Sequence, residues 1–268
     1  MVSDEKGREK MSNLIVEKKG WVTVVTINRP KALNALNVET LEELLACFEE
    51  IGKDATVRVV ILTGAGEKSF VAGADISAMQ KMDCLQARNF ATLGHSVASA
   101  IENIQQPVIA AINGFALGGG CEISLACDIR YGATTAKFGQ PEVNLGVVPG
   151  FGGTQRLTRV VGRGVAFELL VSGEMIDAEE ALRIGLLNKM VPGEELMARC
   201  MKLAETIASR GPIAVRLCKD AVRHGLEMDL RRACAYEAEL FAICFASHDQ
   251  REVMSAFLEK RKPDFKDC

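Results

Sequence analysis

The sequence predicts an α/β fold, and three observations support that class. Runs rich in β-branched residues alternate with amphipathic stretches through the first half of the chain. After Thr154 the pattern changes to one helical segment after another, with breaks at Gly162, Gly185 and Gly211. Apolar residues make up 48% of the 268 residues, which is enough for a substantial buried core. A strand-and-helix domain followed by helices is therefore favoured over separate all-α and all-β parts.

The individual elements follow from the spacing of apolar residues. β-branched runs predict strands at 22–29, 57–64, 108–115 and 128–134. Apolar positions three to four residues apart predict helices at 38–54, 85–104, 177–186 and 230–247. The late helical segments have surplus apolar surface, which can cover the α/β part, pack on a neighbouring subunit, or do both. Of these, oligomerisation is favoured.

Charge and composition argue against several classes of partner. Charged residues make up 25% of the chain and the net charge is -3, so no surface is built to neutralise a nucleic acid backbone. Residues 1–11 mix both signs of charge without an apolar run, which is unlike a secretory or transit signal. No stretch reaches the roughly 18 apolar residues of a membrane span. We expect a cytoplasmic protein without membrane or nucleic acid partners.

The cysteines and histidines do not predict a metal site. The nine cysteines form no CxxC pair, and in a chain without an export signal they are expected to be reduced. His95, His224 and His248 stand far apart along the chain, without cysteines or carboxylates at ligand spacing. We therefore predict no metal ion.

The glycine-rich stretches do not match the known phosphate loops. The glycines of 113–122 fall at positions 114, 118, 119 and 120, which is not the GxGxxG spacing of a dinucleotide turn. The stretch 64–69 has Glu67 where a phosphate loop requires glycine before Lys68. What remains is a strand that runs through glycines into a helix near Cys121, which exposes backbone N–H groups. With the small-residue turn at 72–75, these donors can form an oxyanion hole.

Two carboxylates are candidates for acid and base chemistry near these donors. Glu122 follows Gly119 by about one helical turn, so its side chain can stay near a group bound at Gly119. Glu142 follows Pro141 and precedes an apolar, glycine-rich loop. Each residue also has a purely structural interpretation: Glu122 as a complement to the helix dipole, and Glu142 as a surface residue that opens a helical turn. In one pocket, the two acids can differ in pKa and act as acid and base.

Five stretches of the chain, in order, resemble the enoyl-CoA hydratase (crotonase) family. They are RPKALNAL (29–36), SFVAGADISAM (69–79), INGFALGGGCEISLACDIRY (112–131), FGQPEVNLGVVPGFGGTQRL (138–157) and AFLEKRKPDF (256–265). The resemblance implies a spiral of ββα repeats followed by a helical trimerisation region, assembled as a dimer of trimers. It divides the chain into a loosely held N-terminus at 1–11, a spiral core at 12–205 and an oligomerisation region at 206–268.

The resemblance also assigns roles to single residues. Ala74 and Gly119 match the oxyanion-hole residues, and Glu122 and Glu142 match the two catalytic glutamates that orient one water. Glu122 is then the base that activates the water, and Glu142 is the acid that protonates Cα. The positions that match substrate and coenzyme A contacts are Lys31, Ala32, Leu33, Ala72, Asp75, Ile76, Ser77, Gly150, Phe257 and Lys260. The family often has lysine where this chain has Ser77, and Phe257 and Lys260 are expected to reach a neighbouring subunit's ligand.

The activity implied by the resemblance is the reversible syn hydration of trans-2-enoyl-CoA to 3-hydroxyacyl-CoA, with a short acyl group such as crotonyl. Coenzyme A belongs to the substrate, so no further cofactor is expected. An isomerase of the same superfamily and an RNA-binding hydratase homologue are the alternatives. Isomerases generally lack the acid at the position of Glu122, and the predicted helix at 38–54 is acidic rather than basic. Met79, Met82, Phe90 and Leu93 are either acyl-tunnel residues or plain core.

Overall fold

The computed structural model describes residues 8–10 and 12–267, and their strands fall into two sheets. The strands are β1 (Arg8–Lys10), β2 (Leu14–Lys19), β3 (Val22–Ile27), β4 (Val59–Gly64), β5 (Ser69–Ala72), β6 (Val108–Ile112), β7 (Phe115–Leu117), β8 (Ile129–Ala133), β9 (Lys137–Gly139), β10 (Met175–Asp177) and β11 (Lys189–Val191). The larger sheet has the order β1-β2-β3-β4-β6-β8-β11, and the smaller has the order β10-β9-β7-β5.

Helices follow the strand pairs and then continue alone to the C-terminus. They are α1 (Val38–Lys53), α2 (Ile76–Met79), α3 (Cys84–Asn103), α4 (Gly119–Ala126), α5 (Gly153–Val161), α6 (Arg163–Ser172), α7 (Ala178–Arg183), α8 (Leu196–Ala208), α9 (Pro212–Gly225), α10 (Leu230–Cys244) and α11 (His248–Leu258). Short 3-10 helices occupy Pro30–Ala32, Pro141–Leu145 and Gly193–Glu195.

The two sheets are built by a repeated strand-strand-helix unit. In successive repeats, β4, β6 and β8 enter the larger sheet as parallel neighbours, while β5, β7 and β9 do the same in the smaller sheet. Each repeat therefore adds one strand to each sheet before its helix. The predicted α/β class and the ββα spiral are confirmed. The strands and helices predicted from apolar spacing are present as β3, β4, β6, β8, α1, α3, α7 and α10, with small differences at their ends.

The larger sheet is buried on both faces, as its uninterrupted apolar strands require. Every residue of β4 and β6 is buried, which is typical of parallel strands covered on both sides. On one face α8 packs Leu196, Cys200 and Ala204 against the sheet. A single core joins the opposite face of this sheet to the smaller sheet, and the helices α1, α3 and α4 pack into the same core. The smaller sheet is thereby fixed between the core and the glycine-rich loops.

The predicted N-terminal segment and the predicted boundary at residue 205 both overlap regular elements of the structure. Of the segment 1–11, residues 1–7 and 11 lie outside the described residues, and Arg8–Lys10 pair with β2 as an antiparallel strand. Helix α8 crosses the expected boundary at residue 205 while packing on the sheet, and that boundary stays a prediction. No helix in the described ranges is long and apolar enough to cross a membrane.

The C-terminal helices α9, α10 and α11 leave large apolar side chains exposed. Each of the following is more than half exposed in the single chain: Val222, Leu226, Leu230, Phe241, Ile243, Phe257 and Leu258. A monomeric protein rarely exposes so much apolar surface in one region. This surface is what the expected oligomerisation region requires.

Gly120 lets α4 approach the smaller sheet, and its replacement tests that contact. A Cβ at Gly120 would lie 2.0 Å from the carbonyl oxygen of Val71 in β5. We expect Gly120→Ala to lower the free energy of unfolding by about 3 kcal/mol, because backbone atoms must separate. Gly164→Ala in α6 is the matched control, since no atom lies within 4 Å of its Cβ. Alanine there should be neutral or add up to about 1 kcal/mol. Equal urea denaturation midpoints for the two variants would contradict the close approach.

Candidate functional site

The candidate residues meet at one edge of the smaller sheet because three parallel strands end there together. Ala72 at the end of β5 pairs with Leu117 of β7, and Leu117 pairs with Gly139 of β9. The residues that follow these ends therefore lie side by side. A Cβ at Gly118 would lie 2.6 Å from Glu142 Oε1 and 3.7 Å from Gly73 Cα. Segments that are far apart in the sequence thus converge on Gly118.

Two backbone N–H groups at this edge are left without partners by the geometry around them. Leu36 N donates to Gly73 O at 2.9 Å and Asp75 N donates to Leu36 O at 2.8 Å. Ala74 lies between these two bonds, and no described residue accepts its own N–H. In α4 the first helical bond runs from Glu122 N to Gly118 O at 3.0 Å. The Gly119 N–H precedes that bond and has no intrahelical acceptor.

Glycine is required at the turn that aims the second donor. Gly118 has φ 49° and ψ −123°, a conformation that side chains rarely adopt. Any Cβ at this position would also displace the carboxylate of Glu142. The strand β7 can therefore turn directly into α4 with its first N–H groups facing the strand ends. A negatively charged oxygen placed there would also meet the positive end of the helix dipole.

Glu122 is held in the interior by backbone donors from another segment. Its side chain is 1% exposed, and Oε1 accepts hydrogen bonds from Phe151 N at 2.8 Å and Gly153 N at 2.7 Å. Burial raises the pKa of this carboxyl, while the two N–H groups and the charge of Arg156 act in the opposite direction. Both donors bind Oε1, so Oε2 has no described partner. That oxygen is available to a bound molecule.

Glu142 is the second carboxylate, and its environment differs from that of Glu122. It lies in the 3-10 helix after β9 and is partly buried. Burial, and then the negative charge of Glu122, raise the pKa of Glu142 to about 7. The buried Gln140 amide, oriented with its nitrogen toward Glu142, donates to both carboxylate oxygens at 3.1 and 3.2 Å. These two hydrogen bonds favour the ionised carboxylate and act against the rise in its pKa.

The arrangement joins two chemical functions at one place. A pair of N–H groups can donate hydrogen bonds to a carbonyl oxygen. They stabilise the negative charge that develops on that oxygen without having to move. Two carboxylates beside them can take up and deliver a proton, because their surroundings set their pKa values differently. The four residues Ala74, Gly119, Glu122 and Glu142 are brought together as the sequence predicts. Their roles in catalysis stay predictions.

The loop with Lys31, Ala32 and Leu33 borders this edge from outside. It forms the 3-10 helix Pro30–Ala32 and the left-handed residue Leu33, and all three side chains are exposed. Ala72 N donates to Leu33 O at 3.1 Å, so the loop is attached to the end of β5. The loop is therefore fixed beside the end of β5, and a ligand contact from it stays a prediction.

The residues after Ala74 form a small capped turn. Asp75 caps α2 by accepting from Ser77 N at 3.2 Å and from Ser77 Oγ at 2.6 Å. It also accepts from Arg29 Nη2 at 3.1 Å, and with the Ser77 hydroxyl this lowers the pKa of Asp75. Ile76 between them is 56% exposed. Ser77 therefore serves the turn itself, and a direct ligand contact from it stays a prediction.

Three further predicted residues lie in different settings. Gly150 begins the turn that holds Glu122, and a Cβ on it would contact Ala91 of α3 at 3.7 Å. Phe257 in α11 is 81% exposed, and Lys260 follows with a left-handed φ of 56°. No contact within the described chain joins Phe257 or Lys260 to the site. A role for either requires a second subunit.

Several residues around the site could not be found from the sequence. Phe151 and Gly153 contribute backbone N–H groups, so their residue types carry no signal of that contact. Gln140 was not predicted from the sequence as a site residue, although it lies two positions before Glu142. Among the described residues, no cluster of three His, Cys, Asp or Glu side chains is arranged to hold a metal ion.

Comparison with known proteins gives consistent matches over nearly the whole chain. A family model described as enoyl-CoA hydratase/isomerase matches residues 17–268. The short-chain-enoyl-CoA hydratase of Clostridium acetobutylicum is 55% identical over 253 residues, covering 94% of this chain and 97% of the relative. The crotonyl-CoA hydratase of Syntrophomonas wolfei is 53% identical over 253 residues, which again cover 94% of this chain and 97% of the relative. A solved enoyl-CoA hydratase from Bacillus anthracis has a TM-score of 0.94 at 43% identity, covering 96% of this chain and 100% of that one. The predicted crotonase-like fold is confirmed.

The raised pKa of Glu142 predicts a pH-dependent cost to stability. The folded state favours the protonated acid, so stability is lost as the pH rises from the ordinary value of 4.5 to about 7. A glutamine at this position has no such cost. We expect Glu142→Gln to exceed the wild type in free energy of unfolding at pH 8, with a much smaller gain at pH 5. Urea denaturation at the two pH values measures this, and an equal gain at both would refute it.

Proposed function

This chain belongs to the enoyl-CoA hydratase/isomerase family, and we propose that it catalyses the reversible syn hydration of trans-2-enoyl-CoA to 3-hydroxyacyl-CoA. The observation that carries the proposal is the convergence of Glu122 and Glu142 on the strand edge that presents the Ala74 and Gly119 N–H groups. Hydration needs both an acid and a base beside an oxyanion hole. The site offers all of these groups together.

The proposed mechanism assigns one task to each group. The thioester oxygen accepts hydrogen bonds from Ala74 N and Gly119 N, which makes Cβ electrophilic and stabilises the enolate oxygen. Glu122 takes a proton from a water held between the acids, and the hydroxyl forms the new bond to Cβ. Glu142 delivers its proton to Cα on the same face. The reverse steps remove water, and no cofactor beyond the substrate's own coenzyme A is needed.

The charges of the two acids suit these tasks. Glu142, with a pKa of about 7, is partly protonated at neutral pH and can act as the acid. Burial raises the pKa of Glu122, and its two N–H donors and the charge of Arg156 act against that rise in support of the ionised form. In the proposed mechanism the pair begins with one proton, on Glu142, as addition of water requires.

We further propose that the acyl group is short. Two of the similar proteins are named short-chain-enoyl-CoA hydratase and crotonyl-CoA hydratase. Phe90 packs edge-on against Phe151, with ring centroids 5.3 Å apart, next to the turn that holds Glu122. Phe151 also lies 3.0 Å from the position of a Cβ at Gly119, so in this proposal the aromatic pair limits the length of the acyl group. The loop at Lys31, Ala32 and Leu33 is proposed to meet the coenzyme A portion.

The two alternative activities lack a supporting observation in the structure. Isomerisation needs no water held between two acids, and here both acids are present at the site. For RNA, helix α1 presents Glu39, Glu42, Glu49 and Glu50 toward solvent, which opposes a phosphate backbone. Product analysis separates the first alternative, because isomerisation yields the 3-enoyl thioester without incorporating water.

The activity assay uses crotonyl-CoA and follows loss of the conjugated thioester absorbance. We expect the wild type to hydrate it, and Glu122→Gln and Glu142→Gln each to lower kcat by about 1,000-fold or more with little change in KM. Glu50→Gln on exposed α1 is the control and should retain wild-type rates. The proposal fails if the wild type turns over no enoyl-CoA of about four to ten carbons. Retained hydration in either glutamine variant would remove that residue from the mechanism.

We also propose that the protein assembles as a hexamer, a dimer of trimers, through the exposed apolar side chains of α9, α10 and α11. Phe257 and Lys260 would then reach a neighbouring subunit's substrate. The cytoplasmic location stays a prediction.

Sedimentation measures this assembly directly. We expect the wild type at about six times the chain mass of 29.0 kDa. Leu226 and Leu230 are each 80% exposed, so replacing both by lysine should leave the single chain folded but lower the assembled mass. Leu85→Lys, at an exposed position on α3, is the control. A monomeric wild type, or a double variant with unchanged mass, would contradict the proposal.

A further inference from the structure

The turn at 150–153 determines how Glu122 is held. Phe151 N and Gly153 N both donate to Oε1 of Glu122, and the peptide between them contains the Phe151 carbonyl. An uncompensated change in ψ of Phe151 or in φ of Gly152, the torsions on either side of this middle peptide, would swing one of the two N–H groups away from the carboxylate. Gly152 makes the turn possible with φ 103°. Glycine backbones are easily rotated, so something else must keep the middle peptide in place.

Arg156 supplies that restraint from the first turn of α5. Its Nη1 donates to Phe151 O at 2.9 Å, which fixes the middle peptide. Its Nε and Nη2 donate to Glu102 Oε1 and Oε2 at 2.7 and 2.8 Å, a bidentate ion pair with α3. The Arg156 side chain is only 18% exposed, so the contacts are largely protected from water. The turn is therefore tied to α3 through one guanidinium group.

Among the charged groups that face the 151–153 turn, Arg156 is the cation that acts on the Glu122 carboxylate. Its positive charge counteracts the rise in the pKa of Glu122 that burial causes. The other groups that face this region are Glu142 beside Glu122, Glu102 and His95 of α3, and Arg223 of α9. His95 Cε1 would lie 3.6 Å from a Cβ at Gly152, and Arg223 Nη1 donates to the backbone oxygen of Glu102 at 3.3 Å. Arg223 thus acts on α3 rather than on the turn.

We propose that Arg156 is a positioning residue for the hydration: anchored by Glu102, it fixes the 151–153 turn and thereby the orientation of the Glu122 carboxylate. The inference rests on the function proposed above. Arg156 touches neither substrate nor water in this role, and acts through Phe151 and Gly153. The single guanidinium serves three acceptors in one plane, which a lysine ammonium cannot do.

The variants Arg156→Met and Arg156→Lys test the two parts of this role. Arg156→Met removes the carbonyl contact and the charge, so we expect kcat for crotonyl-CoA to fall about 100-fold with KM within about threefold. The limb of the kcat profile that requires ionised Glu122 should move to higher pH, because the carboxylate loses stabilisation. Arg156→Lys keeps the charge and should leave that limb near its wild-type position, while kcat falls about tenfold.

Arg159→Met is the matched control. Arg159 lies in the same helix with a side chain that is 61% exposed. Its replacement should change neither kcat nor the pH profile. A merely structural role for Arg156 would lower the melting temperature while leaving the pH profile of the folded enzyme unmoved.

A second measurement does not depend on turnover. Infrared difference spectra between each protein and its Glu122→Gln counterpart follow titration of the Glu122 carboxyl directly. We expect the titration to move to higher pH in Arg156→Met and to stay near the wild type in Arg156→Lys. If the wild type hydrates no enoyl-CoA, the proposed function fails, and this titration still decides whether Arg156 controls Glu122.

The outcomes are distinguishable. A folded Arg156→Met with wild-type kcat, or with an unmoved Glu122 titration, would overturn the inference. If Arg156→Met does not fold, Arg156→Lys and Glu102→Gln decide it, since each loosens the restraint and should lower kcat about tenfold with KM unchanged. Wild-type kcat in both of these variants would overturn it equally.

Discussion

The in-register pairing of β5, β7 and β9 is the constraint on which the candidate site depends. Because Ala72, Leu117 and Gly139 end their strands at the same level, the three following loops must leave the sheet side by side. The turn after β5 presents the Ala74 N–H, the start of α4 presents the Gly119 N–H and Glu122, and the 3-10 helix after β9 presents Glu142. A slip of two residues in any of these strands would carry its group about 7 Å away from the others.

The second requirement is that two carboxylates lie together in a buried region, which lowers the stability of the fold. Burial raises the pKa of both carboxyls, and the negative charge of Glu122 adds to the rise in the pKa of Glu142 to about 7. The chain limits that cost for Glu122 with backbone N–H groups and with the Arg156–Glu102 pair behind them. Glu142, which is only partly buried, has no backbone donor from another segment among the described residues. The two acids therefore differ in what stabilises their ionised forms.

The class of the fold and the long elements could be predicted from the sequence, since β4, β6, α1 and α3 have strong apolar periodicity. The strands β5, β7 and β9 could not, because they are three or four residues long and their order in the sheet depends on tertiary pairing. Apolar spacing alone left Glu122 and Glu142 with equally good structural interpretations. The ordered motifs favour the catalytic interpretation, which stays a prediction. The donors Phe151 and Gly153 escape both approaches, because a backbone N–H leaves no mark on residue identity.

Both proposed oxyanion donors are main-chain groups, which has a consequence for how this scaffold can change over evolutionary time. No substitution other than proline deletes an N–H, so the proposed hydrogen bonds to a carbonyl oxygen tolerate mutation as long as Gly118 is kept and the strand ends remain aligned. The acids have no such protection: a single base change can remove either Glu122 or Glu142. Descendants of such a chain would keep thioester activation while losing or exchanging their proton-transfer groups. Proteins that catalyse new reactions on this fold are therefore expected to differ in these side chains and to share the arrangement of the backbone.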